Sequence, residues 1–200
     1  MAFLKVSLGN GIPVAIRGPR VLLRPFVPAD YEMWAALREV SREHLQPWEP
    51  QWPANDLTRP AFRNRVRHYQ REAREGTGYG FGIFDENGGE LRGGLTLTNI
   101  RRGVTQAASL GYWLGLPYLG RGFATEAVQT AVTFGFNQLR LHRFEAASMP
   151  SNTASINVLQ RVGFVREGFA RRYLKINGVW QDHILFGLLA DDIARGTGNE

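Results

Sequence analysis

The chain has 200 residues, of which 44% are hydrophobic and 21% charged, and its formal net charge is +6. It contains no cysteine, which excludes disulfides, cysteine-ligated metals and a covalent intermediate on a thiol. This length predicts a single domain over residues 1–200, with its core at about 20–190 and a polar tail at 191–200.

Arginine dominates the basic residues, because lysine occurs only at Lys5 and Lys175. Such a chain can bind an acidic partner such as RNA or a phosphorylated cofactor, but its arginines are scattered, which favours an ordinary solvated surface. Residues 1–16 contain neither a charged leader nor a long apolar stretch, and the longest apolar run, 184–190, is too short to cross a bilayer. We therefore expect a cytoplasmic protein that binds neither DNA nor a membrane.

The first part of the chain predicts one strand and two helices. Residues 20–26 alternate like a strand, and residues 29–45 repeat apolar side chains at helical spacing. Residues 46–56 carry three prolines and two tryptophans and are therefore expected to form a loop. A second helix is predicted from about residue 58 to residue 75, and Gly76 ends it.

The middle of the chain predicts three antiparallel strands and a helix. Asn87–Gly89 is a strong hairpin signal between two strands, and residues 107–115 form the third strand. A turn with Gly120 and Gly122 then leads into a helix that ends at about Asn137.

The last part predicts a strand, a helix and a closing hairpin. Residues 142–148 are strand-like, and Asn152 is a good N-cap for a helix that closes before Gly163. Residues 164–189 form a hairpin around Asn177-Gly178. The element order is therefore strand, two helices, three strands, helix, strand, helix and two strands.

The stretch Gly120-Arg121-Gly122, at the start of a helix, has two interpretations. Unpaired N–H groups and the positive end of the helix dipole attract phosphate there, and glycines let the backbone approach it closely. Alternatively, the glycines form a tight strand-to-helix turn that binds nothing.

Two other nucleotide-binding patterns fit these glycines less well. A dinucleotide-binding fold requires an acidic residue at some distance after the glycines, and Glu145 lies at about that distance. However, Thr125 occupies the position of the third glycine, and the further strand–helix units of that fold are lacking. A phosphate loop is not supported, because no Lys-Ser or Lys-Thr pair follows the glycines.

Two segments, GYWLGLPYLGRGFATEA at 111–127 and SNTASINVLQRVGFVREG at 151–168, together resemble the GNAT acetyltransferases. The resemblance extends over roughly 21–189 and implies an α/β (α+β) fold, with a mixed, mostly antiparallel central sheet of about seven strands and about four helices. It also implies acetyl-CoA as co-substrate, held between two splayed central strands, and direct attack of an amine on the thioester in a ternary complex.

The family pattern implies that the first motif binds the cofactor. The backbone of Tyr112, Trp113 and Leu114 would pair with the pantetheine arm, and the Trp113 N–H is the expected oxyanion donor. Leu119 departs from the Gln or Arg that begins the family's pyrophosphate loop. That loop would comprise Leu119, Gly120, Arg121, Gly122, Phe123 and Ala124, and Thr125 would also bind the cofactor.

The family pattern gives the second motif both binding and catalytic roles. Asn152 would bond a pantetheine amide, and Asn157 and Arg161 would reach the adenosine end; alternatively, these residues are a helix cap and two solvent-facing side chains. Many GNAT enzymes protonate the leaving thiolate with a tyrosine at the position of Leu159. Ser155 is the nearest substitute, unless its hydroxyl only satisfies backbone groups in the first helical turn.

The acceptor site is expected in the loop 46–56, where Trp48 and Trp52 would shape the cleft. Glu49 lies between them and would anchor the substrate ammonium, act as a base, or merely cap the following turn. No two histidines have metal-ligand spacing, so we expect no metal.

The closing hairpin contributes further acceptor candidates, Tyr173 and Asp182 for substrate binding and Asp182 or His183 as a base. Strand alternation sends Asp182 and His183 to opposite faces, so at most one lines a given pocket. Asp182 is alternatively a structural acceptor for nearby backbone or an arginine side chain.

The acceptor amine is expected to be a protein N-terminus. An α-amino group has a pKa of about 7.7–8.0 against about 10.4 for lysine, so it needs only a weak base. Segments 44–50, 79–88, 98–103 and especially 163–185 resemble most the GNAT enzymes that acetylate the N-terminal alanine of a small-subunit ribosomal protein. The leading expectation is an enzyme for Ala or Ser N-termini, as a monomer or homodimer. The alternatives are a small-molecule amine acetyltransferase and a non-catalytic acyl-CoA-binding or ribosome-associated module.

Overall fold

The computed structural model describes residues 15–192, so residues 1–14 and most of the predicted polar tail lie outside the described range. The strands are β1 (Ile16–Arg17), β2 (Val21–Pro25), β3 (Tyr79–Asp85), β4 (Leu91–Arg101), β5 (Ala107–Leu114), β6 (Arg143–Ser148), β7 (Val165–Ile176) and β8 (Val179–Leu189). The helices are α1 (Tyr31–Val40), α2 (Arg42–Leu45), α3 (Arg59–Glu75), α4 (Phe123–Asn137) and α5 (Thr153–Val162), with 3₁₀ turns at Pro28–Asp30, Gln46–Trp48 and Leu116–Tyr118.

The eight strands of the described range form one sheet in the order β1-β2-β3-β4-β5-β6-β8-β7. All neighbouring strands are antiparallel except β5 and β6, which are parallel. The mixed, mostly antiparallel sheet of the GNAT fold is therefore confirmed, with one strand more than expected. The additional strand β1 has two residues, too few for alternation to be recognised in a sequence.

The helix predicted over 29–45 is divided at Ser41. The backbone of Ser41 has φ −104° and ψ 4°, and its N–H donates to the carbonyl of Arg38, which ends α1. The Ser41 side chain is buried, and its Oγ accepts a 2.9 Å hydrogen bond from the N–H of Leu116. The break in the helix thus ties α1 and α2 to the turn that follows β5.

The predicted helix ends are confirmed. Gly76 and Gly163 terminate α3 and α5 in the left-handed conformation, with φ of 69° and 104°. The Oδ1 of Asn152 accepts the N–H of Ser155 at 3.1 Å, which makes Asn152 the N-cap of α5. Both predicted hairpin turns contain a glycine with positive φ.

The helices cover both faces of the sheet, and β2 shows how the chain divides between them. Val21 and Leu23 pack in the cluster with α4 and α5, whereas Leu22 joins the cluster with α1 and α3. All three side chains are buried. Because both faces are covered, residues 21–23 form an unbroken apolar run, and the alternation predicted for this strand is not present.

The functional cleft originates where β5 and β6 separate. Residues 107–109 of β5 lie opposite residues 143–145 of β6. Beyond them, β5 continues beside β4 to Leu114, while β6 continues beside β8 to Ser148. Each strand keeps one partner, so the two facing backbone edges are left unpaired with each other in the gap.

Candidate active site

The gap between β5 and β6 opens into a cleft of about 590 Å³. The cleft brings together both predicted motifs and the acceptor loop. The predicted residues that line it are Trp48, Glu49, Tyr112, Trp113, Leu114, Leu119, Gly120, Gly122, Ala124, Thr125, Asn152, Ser155, Asn157, Arg161 and His183. The predicted residues outside its lining are Trp52, Arg121, Phe123, Tyr173 and Asp182.

The turn before α4 presents bare backbone to the cleft. Gly120 and Gly122 have φ of 70° and 81°, left-handed values that favour glycine. Apart from Gly120 and the two residues next to it in the chain, no described residue has an atom within 4 Å of a Cβ built on Gly120. The N–H groups of Phe123, Ala124 and Thr125 begin the helix and therefore have no intrahelical acceptor. An open cradle of amides at a helix N-terminus fits a pyrophosphate group.

Neighbouring side chains preserve the positive potential of this turn. Glu126 lies in the first turn of α4, but its Oε2 accepts a 2.9 Å hydrogen bond from the Nε of Arg20. The ring of Phe123 is buried beneath the guanidinium of Arg92, 4.1 Å from the ring centroid, so Phe123 anchors the turn in the core. Arg121 is exposed, with its guanidinium 5.2 Å from the same ring.

The register of β5 determines which of its amides face the cleft. The N–H of Gly115 donates to the carbonyl of Arg92 in β4 at 2.8 Å. Because N–H groups alternate between the two edges of a strand, the N–H of Trp113 also points toward β4. The amides of Tyr112 and Leu114 point into the cleft. The Trp113 N–H therefore does not face the cleft, which contradicts the expected oxyanion donor and leaves the amides of Tyr112 and Leu114 available for that role.

The first turns of α5 place the second motif along the cleft. Asn152 uses its Oδ1 to cap the helix, so the cap predicted as an alternative role is present. Its side-chain NH₂ is a donor that the cap does not use. Asn157 and Arg161 are exposed and lie one turn apart, further along the same lining.

A pair of hydroxyl groups lies where β5 meets α5. The Tyr112 hydroxyl oxygen is 2.9 Å from the Ser155 Oγ and 3.2 Å from the Ser155 carbonyl oxygen. Burial raises the pKa of Tyr112 to about 12, although the hydrogen bond with Ser155 opposes the rise. The Tyr112 side chain therefore stays protonated at neutral pH. Sequence reasoning assigned a role only to its backbone.

The acceptor loop holds Glu49 in one orientation. Its Oε1 and Oε2 each accept a 2.7 Å hydrogen bond from the Arg38 guanidinium, and Oε2 accepts another of 2.7 Å from the Trp52 Nε1. Both oxygens are already engaged by donors, two of them charged. The remaining lone pairs of the two oxygens can accept a further donor.

Arg38 is the site residue that sequence reasoning missed. Its side chain is buried, and its guanidinium lies between the indoles of Trp52 and Trp113, 4.0 and 4.9 Å from their centroids. The sequence spacing could have identified it, because Arg38 follows Trp34 by four residues and so lies on the apolar face of α1. A charge on a buried face requires a partner, and Glu49 is that partner.

The β7–β8 hairpin borders the cleft beside Glu49. At its tip, the N–H of Asn177 donates to the carbonyl of Glu49 at 2.8 Å. His183 lines the cleft although only 3% of it is exposed, and its Nδ1 lies 3.0 Å from the carbonyl oxygen of Gln181. A hydrogen on Nδ1 donates to that carbonyl and leaves Nε2 as an acceptor.

Asp182 and Tyr173, both predicted to bind substrate, do not line the cleft. Asp182 Oδ1 accepts the N–H of Arg172 at 2.8 Å, in an irregular part of β7 where Arg172 has φ 48°. This is the structural role considered as the alternative. The ring of Tyr173 packs edge-on against His183, with centroids 5.8 Å apart. As strand alternation predicts, only one of Asp182 and His183 lines the cleft, and that residue is His183.

Comparison with known proteins identifies the class of enzyme to which this cleft belongs. A family model described as an acetyltransferase (GNAT) domain matches residues 20–165. The chain therefore belongs to the GNAT acetyltransferases, as its two motifs predict.

Individual relatives show which GNAT enzymes the chain resembles. The chain is 36% identical over 177 residues to the probable N-acetyltransferase YjcK of Bacillus subtilis (strain 168), an alignment that covers 88% of this chain and 98% of YjcK. It is 33% identical over 156 residues to the ribosomal protein uS5-alanine N-acetyltransferase of Escherichia coli (strain K12), covering 78% and 80% of the two chains. Mycobacterium smegmatis RimJ in complex with CoA-disulfide superposes with a TM-score of 0.83 at 33% identity, covering 92% and 93%.

The relatives confirm the RimJ-like resemblance and support acetyl-CoA-dependent acetyl transfer as the activity. Within residues 15–192, no helix is both long and apolar enough to cross a bilayer. The same range contains no group of three or more acidic or histidine side chains arranged to hold a metal ion.

Proposed function

We propose that the chain transfers the acetyl group of acetyl-CoA to the N-terminal α-amine of a protein that begins with alanine or serine. The observation that carries this proposal is the cleft itself, which joins the amide cradle before α4 to the Arg38–Glu49 pair. The names of the relatives support it, since one is a ribosomal protein uS5-alanine N-acetyltransferase and the RimJ structure contains CoA-disulfide. A ribosomal protein in the cytoplasm is accordingly the proposed acceptor.

Acetyl-CoA supplies an activated acetyl group as a thioester. The glycine turn and the first amides of α4 would hold its pyrophosphate. Asn157 and Arg161 would contact the adenosine end, and the Asn152 side chain would bond the pantetheine arm. The cleft-facing N–H of Tyr112 or Leu114 would stabilise the oxyanion, a type of contact whose removal typically costs ~3 kcal/mol.

Glu49 would bind the acceptor as an ammonium ion, beside the indole of Trp48. The α-amine must then lose one proton, which its pKa of about 7.7–8.0 makes easy near neutral pH. The Nε2 of His183 is the acceptor proposed to take that proton, directly or through water. Lysine, with a pKa near 10.4, would cost about 3.5 kcal/mol more to deprotonate, so the site suits an N-terminus better.

Ser155 would assist the leaving group. Its hydroxyl would donate a hydrogen bond to the sulfur as negative charge develops there, in place of the tyrosine that many GNAT enzymes use at the position of Leu159. Leu159 itself is buried in the core, 1% exposed.

Steady-state release of CoA with a panel of acceptors tests the proposal. The panel contains peptides that begin with Ala or Ser, the same peptides with a blocked N-terminus, a lysine peptide with a blocked N-terminus, and polyamines. We expect turnover only with the free α-amines. Turnover with polyamines alone would establish the small-molecule alternative, and acetyl-CoA binding without turnover would establish a non-catalytic module.

A further inference from the structure

The contact between Tyr112 and Ser155 has a consequence for how the serine hydroxyl is oriented. Tyr112 projects from β5 and Ser155 from the first turn of α5, so their side chains meet where the two walls of the cleft join. The distance of 2.9 Å between their hydroxyl oxygens is a normal O–H···O hydrogen bond, whereas the Ser155 carbonyl is 3.2 Å away.

Two arrangements of hydrogen atoms satisfy these distances. In the first, Ser155 donates to Tyr112, Tyr112 donates to the Ser155 carbonyl, and the Ser155 hydroxyl can offer the cleft only lone pairs. In the second, Tyr112 donates to Ser155 Oγ, and the serine hydrogen is free to point into the cleft. Only the second can stabilise a negative charge on a leaving sulfur, and a chain of donors strengthens each bond along it.

We propose that Tyr112 is a positioning residue for acetyl transfer: its hydroxyl donates to Ser155 Oγ and so directs the Ser155 hydrogen toward the leaving sulfur. This inference rests on the proposed function. Burial keeps Tyr112 in the protonated donor form, since its pKa is raised to about 12. The hydrogen bond from Tyr112 also explains how a serine can act on the leaving sulfur, a role for which related enzymes use the larger side chain of a tyrosine.

The proton balance of the step requires no further reactant. The amine nitrogen forms a bond to the acetyl carbon, the C–S bond breaks, and its electron pair stays on sulfur. The nitrogen loses one proton in becoming an amide, and the sulfur gains one in becoming a thiol. Ser155 donates a hydrogen bond to the sulfur during this exchange and ends as the same hydroxyl, while Tyr112 keeps its proton throughout.

A double-mutant cycle on the full chain tests the inference. Tyr112→Phe removes one oxygen atom and keeps the ring, and we expect kcat to fall about tenfold, the effect of losing one hydrogen bond of about 1.4 kcal/mol. Ser155→Ala should lower kcat by at least as much. The double variant should be no slower than Ser155→Ala, because Tyr112 acts only through Ser155. Acetyl-CoA affinity should remain at the wild-type value in Tyr112→Phe, and the thermal midpoint should fall by only a few degrees, because the same hydrogen bond is lost from the folded protein.

Tyr79→Phe is the matched control. Tyr79 is half-buried on β3, its pKa is also raised by burial, and it packs against Phe81 and Phe134 away from the cleft. We expect its kcat to be that of the wild type.

The outcomes separate this inference from the proposed function. A wild-type protein that turns over no amine contradicts both. An active wild type with wild-type kcat in Tyr112→Phe contradicts only the positioning role. The positioning role is also contradicted if Tyr112→Phe lowers kcat by the same factor in the wild-type chain and in the Ser155→Ala variant. A tyrosine with a purely structural role would give such additive losses.

Discussion

Replacing Arg38 with methionine removes the guanidinium that holds Glu49 while keeping most of the side-chain volume. The Arg38 side chain is 6% exposed and that of Glu49 is 20% exposed, so the pair is largely buried. Removing one partner of a buried pair typically costs about 3–5 kcal/mol, because the remaining charge is left desolvated and uncompensated. Glu49 keeps the Trp52 donor and some contact with water, so we expect a loss of about 3 kcal/mol, at the lower end of this range.

Thermal and urea unfolding without ligands measure this loss. For a chain of this size, about 3 kcal/mol corresponds to a fall of about 6–12 °C in the thermal midpoint. The double variant Arg38→Met/Glu49→Leu should be more stable than Arg38→Met alone, because it removes the stranded charge as well. Arg59→Met breaks an exposed pair with Glu32 and serves as the control, with an expected loss of at most about 1 kcal/mol. An equally small loss in Arg38→Met would refute the reasoning.

Three other perturbations test separate parts of the site. Ala124→Asp should abolish acetyl-CoA binding with an unchanged thermal midpoint, because a carboxylate would meet the pyrophosphate. Gln138→Asp, at an exposed position just past α4, should bind normally, and equal affinities of the two variants would contradict the cradle. Glu49→Gln should raise the acceptor KM far more than it lowers kcat, as expected for an ammonium anchor, whereas a fall of about 10²-fold in kcat would indicate a base. Because the folded-state pKa of Tyr112 is raised to about 12, its contribution to stability is complete below pH 10 and is lost toward pH 12. Wild-type stability should therefore fall more steeply than that of Tyr112→Phe over this range, and parallel curves would contradict the shift.

The parts of the fold that sequence predicted correctly depend on local rules. Gly76, Gly163 and Asn152 act at helix ends because of their own backbone freedom or side-chain reach, and they were identified without any tertiary information. The glycines before α4 were recognised for the same reason, since their positive φ values are a property of each residue.

The features that sequence could not supply depend on contacts between distant residues. The direction of the Trp113 amide follows from the register of β5 against β4, which no local pattern encodes. Tyr112 and Ser155 are 43 positions apart, and Arg38 and Glu49 are joined only after the helix breaks at Ser41. The roles of Asp182 and Tyr173 likewise depended on an irregularity of β7 that alternation alone does not predict.

The central claim is that the cleft acetylates an N-terminal α-amine with acetyl-CoA. Its most direct test is mass spectrometry with fragmentation of one peptide, incubated with the protein and acetyl-CoA, that carries both a free N-terminal alanine and an internal lysine. We predict a single acetyl group on the alanine nitrogen, together with an equal amount of released CoA. Acetylation of the lysine instead, or an unmodified peptide, would contradict the claim.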